Sequence, residues 1–242
     1  MADINTIGII AYPGCGEQDT LVPWEMLKSL AWVLSSGERF LDVRLLAMAS
    51  GNVRMQMGLQ VVPEGVVDVD NDLFDVLYVP GGMGTEQAAL DQQLRKLVNR
   101  HAEKKRWIAT NCSGLAILHR AGFLGDTQVT CAGTISRKVA NEGGNVAEPR
   151  LCWLGDEEAK VWTAAGGSAA HPSTTALVAH LFGQELGRVI GMMWDTLPMH
   201  GKVLFQPIGP EFLNFPFYSR ELQDQWEDQL LPDEPAAQGE QG

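Results

Sequence analysis

The sequence predicts an α/β protein with a largely parallel central sheet. Short Ile- and Val-rich runs alternate with helical patterns of about 10–15 residues. The core runs are continuously apolar, as in strands buried on both faces. They end at Pro-Gly, at Pro-Gly-Gly or at cysteine, where the chain turns sharply into the next segment.

Residues 6–12, TIGIIAY, form the first strand, stopped by Pro13-Gly14. Leu21, Trp24, Leu27, Leu30, Ala31 and Leu34 then recur at helical spacing, predicting a helix from near Asp19 that closes at Ser35-Ser36-Gly37. Asp19 and Thr20 supply cap chemistry. Residues 41–48 form the second strand, and 53–70 hold short strands or an excursion. Residues 75–79 form a third core strand, ended by Pro80-Gly81-Gly82. A helix over 92–105 turns Leu94, Leu97, Val98 and Ala102 inward. Residues 107–111 form a fourth strand that runs directly into Cys112, and a helix over 115–120 closes at Gly122. Further strands are expected at 129–131 and 161–164. A helix over 172–182 has Pro in its first turn, and helical signal resumes over 187–194. After Pro198 the pattern dissolves, and from Leu231-Pro232 onward it reads as a disordered tail. The chain thus divides into a body over 1–198, an extension over 199–230 and an acidic tail over 231–242.

The 242 residues suffice for one large domain with an appendage. The formal net charge is −12, from 18 Lys+Arg and 30 Asp+Glu. Residues 221–242 hold seven of the acids and no Lys or Arg, which leaves the rest at −5. This balance excludes an electrostatic grip on nucleic acid or on an anionic membrane. No run approaches the ~20 apolar residues of a membrane span, and the first residues do not look like a signal peptide. The four cysteines are far apart, without Cys-x-x-Cys or zinc-like spacing, so free thiols in a reducing cytoplasm are expected and no metal site.

Ligands of parallel sheets bind beyond the strand C-termini, so three strand ends matter. At Asn111-Cys112-Ser113-Gly114 a thiol meets a helix N-terminus, which favours thiolate; a small buried hydrophobe also fits the pattern. At Pro80-Gly81-Gly82-Met83-Gly84, backbone N–H groups either hold a developing oxyanion or serve a turn with positive φ. At Pro13–Pro23, Asp19 is either a helix cap or an acid/base. Trp24, Met26 and Met83 serve either an apolar substrate end or the helix core.

Together the three ends resemble the ThiJ/PfpI superfamily, which includes the Parkinsonism-associated deglycase, PfpI-like proteases and isonitrile hydratases. The resemblance covers about residues 5–190 and rests on Gly14, Asp19, Pro23, Asp75, Pro80-Gly81-Gly82, Cys112, Gly114, Ala121-Gly122, Leu124, Thr130, Thr163 and Gly166-Gly167. It implies a flavodoxin-like sandwich: a mostly parallel sheet, helices on both faces, and the cysteine at a strand-to-helix nucleophile elbow. It makes Cys112 the nucleophile and Asp19 its acid/base, with Gly82 and Ser113 as candidate oxyanion donors. It also implies a homodimer acting on a small molecule without a cofactor, with the 199–230 extension packing on the body or the dimer.

Asp19 followed by Pro-aromatic-acid resembles the isonitrile hydratase branch, although Val22 stands where that branch carries Gly. Residues 129–134 contain no His, so a Cys–His–acid triad is unsupported there. His171, at a strand end before a helix, is either a substrate contact or a helix-entry residue. Phe205 and the aromatic segment 212–218 either cap the pocket or meet a neighbouring subunit. The implied activity is isonitrile hydration to an N-substituted formamide, classing the protein as a lyase. The alternatives are a glyoxalase or deglycase acting on reactive carbonyls, and a non-enzymatic cysteine redox sensor.

Overall fold

The computed structural model describes residues 4–37, 39–194 and 220–233. Its centre is a seven-stranded sheet in the order β5-β2-β1-β6-β7-β9-β8. The strands are β1 Thr6–Ala11, β2 Asp42–Ala47, β5 Gly65–Val66, β6 Val76–Val79, β7 Trp107–Asn111, β8 Trp153–Asp156 and β9 Val161–Ala164. Every neighbouring pair is parallel except β8–β9. A small hairpin of β3 Val53–Arg54 and β4 Gln60–Val61 stands apart from the sheet.

Consecutive positions of the inner strands are buried, as their unbroken apolar runs require: Ile9 and Ile10 in β1, Val76 and Leu77 in β6, Ile108 and Ala109 in β7. The helices form two separately packed sets. One comprises α1 Glu17–Ser35, α6 Ala170–Phe182 and α7 Gln184–Met193. The other comprises α2 Thr85–Ala88, α3 Gln92–Glu103, α4 Leu115–Ala121, α5 Gly133–Asn141 and α8 Arg220–Leu230. This is a flavodoxin-like α/β fold.

The chain lays β2 on one side of β1 and then returns to lay β6 on the other. The gap above β1 and β6 is therefore the topological switch point, where such sheets bind ligands. The loops after β1, β6 and β7 all open there.

Several expected boundaries shift. α1 begins at Glu17, so Asp19 lies inside its first turn and makes no cap hydrogen bond. Residues 129–131 form no strand, only a bridge between Val129 and Val146. The short α2, α5, the edge strand β8 and α8 were not expected. α5 contains Gly133, Thr134 and Ser136, poor helix formers whose conformation is set by packing. α8 is acidic with few apolar positions, and it lies on α5 through ion pairs that no local pattern shows. The expected solvated tail begins at residue 231, yet Leu231 is fully buried, and the Pro232 carbonyl accepts from Arg120 Nε at 2.8 Å. Phe205 and the segment 212–218 lie outside the described residues.

Candidate active site

The first strand end is Cys112. β7 passes straight into a tight 3₁₀ turn, Cys112–Gly114, before α4. Cys112 takes φ 55°, a left-handed conformation that non-glycine residues rarely adopt. Such a turn projects the side chain above the sheet, as in a nucleophile elbow. The end of β9 must pass close by. A Cβ on Gly166 would lie 2.6 Å from Cys112 Sγ, so only glycine leaves room for the sulfur.

The second end brings Asp19, which is 6% exposed. Its carboxylate hydrogen-bonds the Cys112 thiol, and its Oδ1 accepts from Gly167 N at 3.3 Å. Burial raises the Asp19 pKa, opposed by these two hydrogen bonds. Burial also raises the Cys112 thiol, and the negative charge of Asp19 pushes it further in the same direction. The Ser113 N–H points at the sulfur and opposes the rise. Cys112 nevertheless keeps contact with the cleft, being only half-buried as a residue. Asp19 and Cys112 therefore titrate as a coupled pair.

A residue absent from the sequence expectations ties the ends together. Asn111, fully buried beside Cys112, donates from Nδ2 to the Asp19 carbonyl at 3.0 Å and accepts at Oδ1 from Gly81 N at 3.0 Å. That carbonyl is available because Pro23, four residues on within α1, has no N–H to bond it. The proline thus opens an acceptor that Asn111 fills, locking the ends of β1, β6 and β7 into one frame.

The third end behaves differently from expectation. Gly82 N donates to Ser113 Oγ at 3.0 Å, and Met83 N donates to Gln56 Oε1 at 3.0 Å. With Gly81 N given to Asn111, all three amides after β6 are already engaged. The loop is a scaffold, and Gly82 has no N–H left for an oxyanion. Gly82 is required by conformation: its φ is +132°, and a Cβ there would lie 2.2 Å from Gly16 N. Of the two expected donors, only the Ser113 N–H faces the sulfur.

These groups open into a cleft of about 810 Å³. His171 is not brought there; its ring sits 6.1 Å from that of Trp194. Four lining residues had no local signal: Gln56, Arg150, Trp226 and Leu230. Arg150 Nη1 donates to the Cys131 carbonyl at 3.1 Å. A second cavity of about 600 Å³, between β8–β9 and α6–α7, includes Trp153, Trp162 and His180 but no thiol or carboxylate. Among the described residues, no cluster of His, Cys, Asp or Glu is placed to hold a metal ion. No described helix is long and apolar enough to cross a membrane.

A cysteine elbow and a buried carboxylate at the switch point of a mostly parallel sheet define a class of α/β proteins. Within that class, the sequence pattern of the DJ-1/PfpI family matches residues 5–179, and the chain belongs to this family. Isonitrile hydratase of Pseudomonas putida is 23% identical over 192 residues, 79% of this chain and 78% of that protein. The glutathione-independent glyoxalase DJR-1.2 of Caenorhabditis elegans is 29% identical over 105 residues, 43% of this chain and 55% of that protein. A solved ThiJ/PfpI family protein from Pseudomonas syringae superposes with a TM-score of 0.72 at 22% identity, covering 95% of this chain and 91% of that one. That likeness shows the fold.

Proposed function

We propose that the protein is a cysteine-dependent hydratase of a small electrophile, specifically of an isonitrile. The observation that carries this reading is the direct Asp19–Cys112 contact in a cleft whose described lining includes no histidine. A thiol paired only with a carboxylate suits additions that need one proton moved over a short distance. Cys112 sulfur attacks the terminal isonitrile carbon while Asp19 takes the thiol proton and delivers it to that same carbon. This forms one S–C and one C–H bond and leaves a covalent thioimidate. Water then adds to the C=N carbon, its proton going to nitrogen through Asp19. Collapse breaks the S–C bond, returns the thiol and releases the N-substituted formamide. The Ser113 N–H steadies the sulfur as its charge changes.

On this reading the body over 1–198 acts as a cytoplasmic homodimer, with Cys112 and Asp19 as the reacting groups and Ser113 beside them. Family resemblance supports the dimer, and four unpaired thiols support the reducing compartment. His171 and Gly82 drop to structural roles. The similarity to DJR-1.2 favours a second reading, a glyoxalase or deglycase acting on reactive carbonyls.

Cyclohexyl isocyanide and methylglyoxal, each offered to wild type, Cys112→Ala and Asp19→Ala, separate these readings. Formamide production that falls by about 10³-fold or more in Cys112→Ala, and falls also in Asp19→Ala, is the expected result. Turnover of methylglyoxal alone establishes the second reading. Turnover of neither, with ready peroxide oxidation of Cys112, leaves a redox sensor.

A further inference from the structure

We propose that α8 forms the outer wall of the substrate cleft and selects uncharged electrophiles that carry an apolar substituent, read by Trp226 and Leu230. This rests on Cys112 being the reacting nucleophile.

Trp226 and Leu230 are four residues apart on α8, on one helical face, and both line the cleft. Met57 and Met83 line it from the β3–β4 side and from the loop after β6. Leu230 is 5% exposed, whereas Trp226 is half-buried, so indole surface remains open to a ligand. Two flexible thioethers and an indole form an adaptable apolar surface.

The charged lining points the same way. Glu17 Oε1 already accepts from Met57 N at 2.8 Å, Asp19 holds Cys112, and Arg150 donates to the Cys131 carbonyl. Two carboxylates stand against one guanidinium, so a substrate carboxylate meets net repulsion. The rest of the lining is largely apolar, so apolar contact carries most of the recognition.

The position of this wall is set outside the cleft. Arg137 on α5 donates to Glu227, the neighbour of Trp226, at 2.6 Å and also pairs with Asp224. Lys138 pairs with Asp228 at 2.6 Å and Asp233 at 3.0 Å. The acids of α8 thus hold its apolar face over the thiol.

Alkylation of Cys112, followed by peptide mass spectrometry, tests this without turnover. In each case sulfur displaces iodide and forms one S–C bond. The reagents are iodoacetamide, N-benzyl iodoacetamide and iodoacetate. Wild type should favour the benzyl reagent over iodoacetamide and disfavour iodoacetate. Trp226→Ala should lower the benzyl preference about ten-fold while leaving the iodoacetamide rate within about two-fold. Trp226→Phe should keep most of the preference. Arg137→Gln, which leaves the cleft lining intact, should lower it in the same direction; this arm decides should Trp226→Ala fail to fold. An unchanged preference in both Trp226→Ala and Arg137→Gln overturns the proposal. So does an equal acceleration of all three reagents, which makes α8 a mere cover. If wild type turns over no isonitrile, the hydratase reading fails while the alkylation preference still stands.

Discussion

The cleft has two unlike walls. Its floor comes from the ends of β1, β6, β7 and β9, where the buried side chains of Asn111 and Ser113 bond the backbones of Gly81, Asp19 and Gly82, and Thr85 Oγ1 lies 2.9 Å from Ser113 Oγ. Its outer wall is α8, held to α5 by ion pairs in which most of the acids are in water: the side chains of Asp224, Asp228 and, just past the helix, Asp233 are 64%, 77% and 87% exposed, while that of Glu227 is 14% exposed. Breaking a buried hydrogen bond leaves a partner unsatisfied at a cost of about 1–3 kcal/mol. Exposed ion pairs contribute far less and weaken in salt. The difference teaches where precision is needed: atoms that react sit in the rigid part, and atoms that choose the substrate sit in the adjustable part.

Asp19→Asn should have the largest effect on this comparison, and its effect should fall on the floor. Loss of the proton carrier is expected to lower turnover by about 10²–10⁴-fold. Thiol reactivity should move the opposite way. The Asp19 charge helps hold the Cys112 thiol up, so its removal shifts the alkylation pH midpoint down, though burial keeps it above an ordinary cysteine. Stability gives a third reading. The folded Asp19 pKa is raised, so its proton is favoured in the native state. That contribution is present below the ordinary carboxylate pKa and is lost as pH rises through the folded value. Asp19→Asn should therefore melt higher than wild type at pH 7 and alike at pH 3. Turnover and alkylation falling together would mean that the floor has collapsed.

Asn111→Ala tests the frame beneath those groups. It orphans the Asp19 carbonyl and the Gly81 N–H, both buried. The expected cost is about 1–3 kcal/mol in denaturant unfolding. Activity should fall by about 10²-fold, because α1 is no longer registered against Cys112. The pH midpoint for Cys112 alkylation should fall towards the ordinary cysteine value as Asp19 loosens. A stability loss with an unmoved midpoint would show that Asn111 supports the fold without placing Asp19.

Cys112 and Asp19 were legible because the signal for each is local. A thiol ending a strand before Ser-Gly, and an acid just after Pro-Gly, declare their turns within a few residues. Asn111 was hidden at the end of a strand-like run, with partners 30 and 92 residues away. The glycine loop was half legible: its N–H groups were foreseen, but not the Asn111, Ser113 and Gln56 side chains that occupy them. α8 was illegible for a similar reason. Its place in an extension expected to pack was foreseen, but not the helix or the partners of its acids, because Arg137 and Lys138 lie about 90 residues earlier. Charge counting places acids in water by default, and only the fold supplies their cations.

The smallest expected effect is the one that separates the two walls most cleanly. Arg137 is a single guanidinium holding both Glu227 and Asp224, and its side chain does not line the cleft. At 1 M salt the screening length falls to about 3 Å, comparable with the pairs themselves. Raising salt from about 0.05 to 1 M should therefore loosen α8 and raise KM for cyclohexyl isocyanide by about two- to five-fold, with kcat unchanged. Apolar contact strengthens in salt, so any error in this expectation runs towards a smaller rise. In Arg137→Gln the same KM increase should already be present at low salt, and added salt should change it less. The floor is joined by buried hydrogen bonds, which salt does not screen, so kcat should ignore salt in both proteins. A fall in kcat with KM unmoved would mean that the ions outside the cleft hold the reacting groups, and the division between a rigid floor and an adjustable wall would fail.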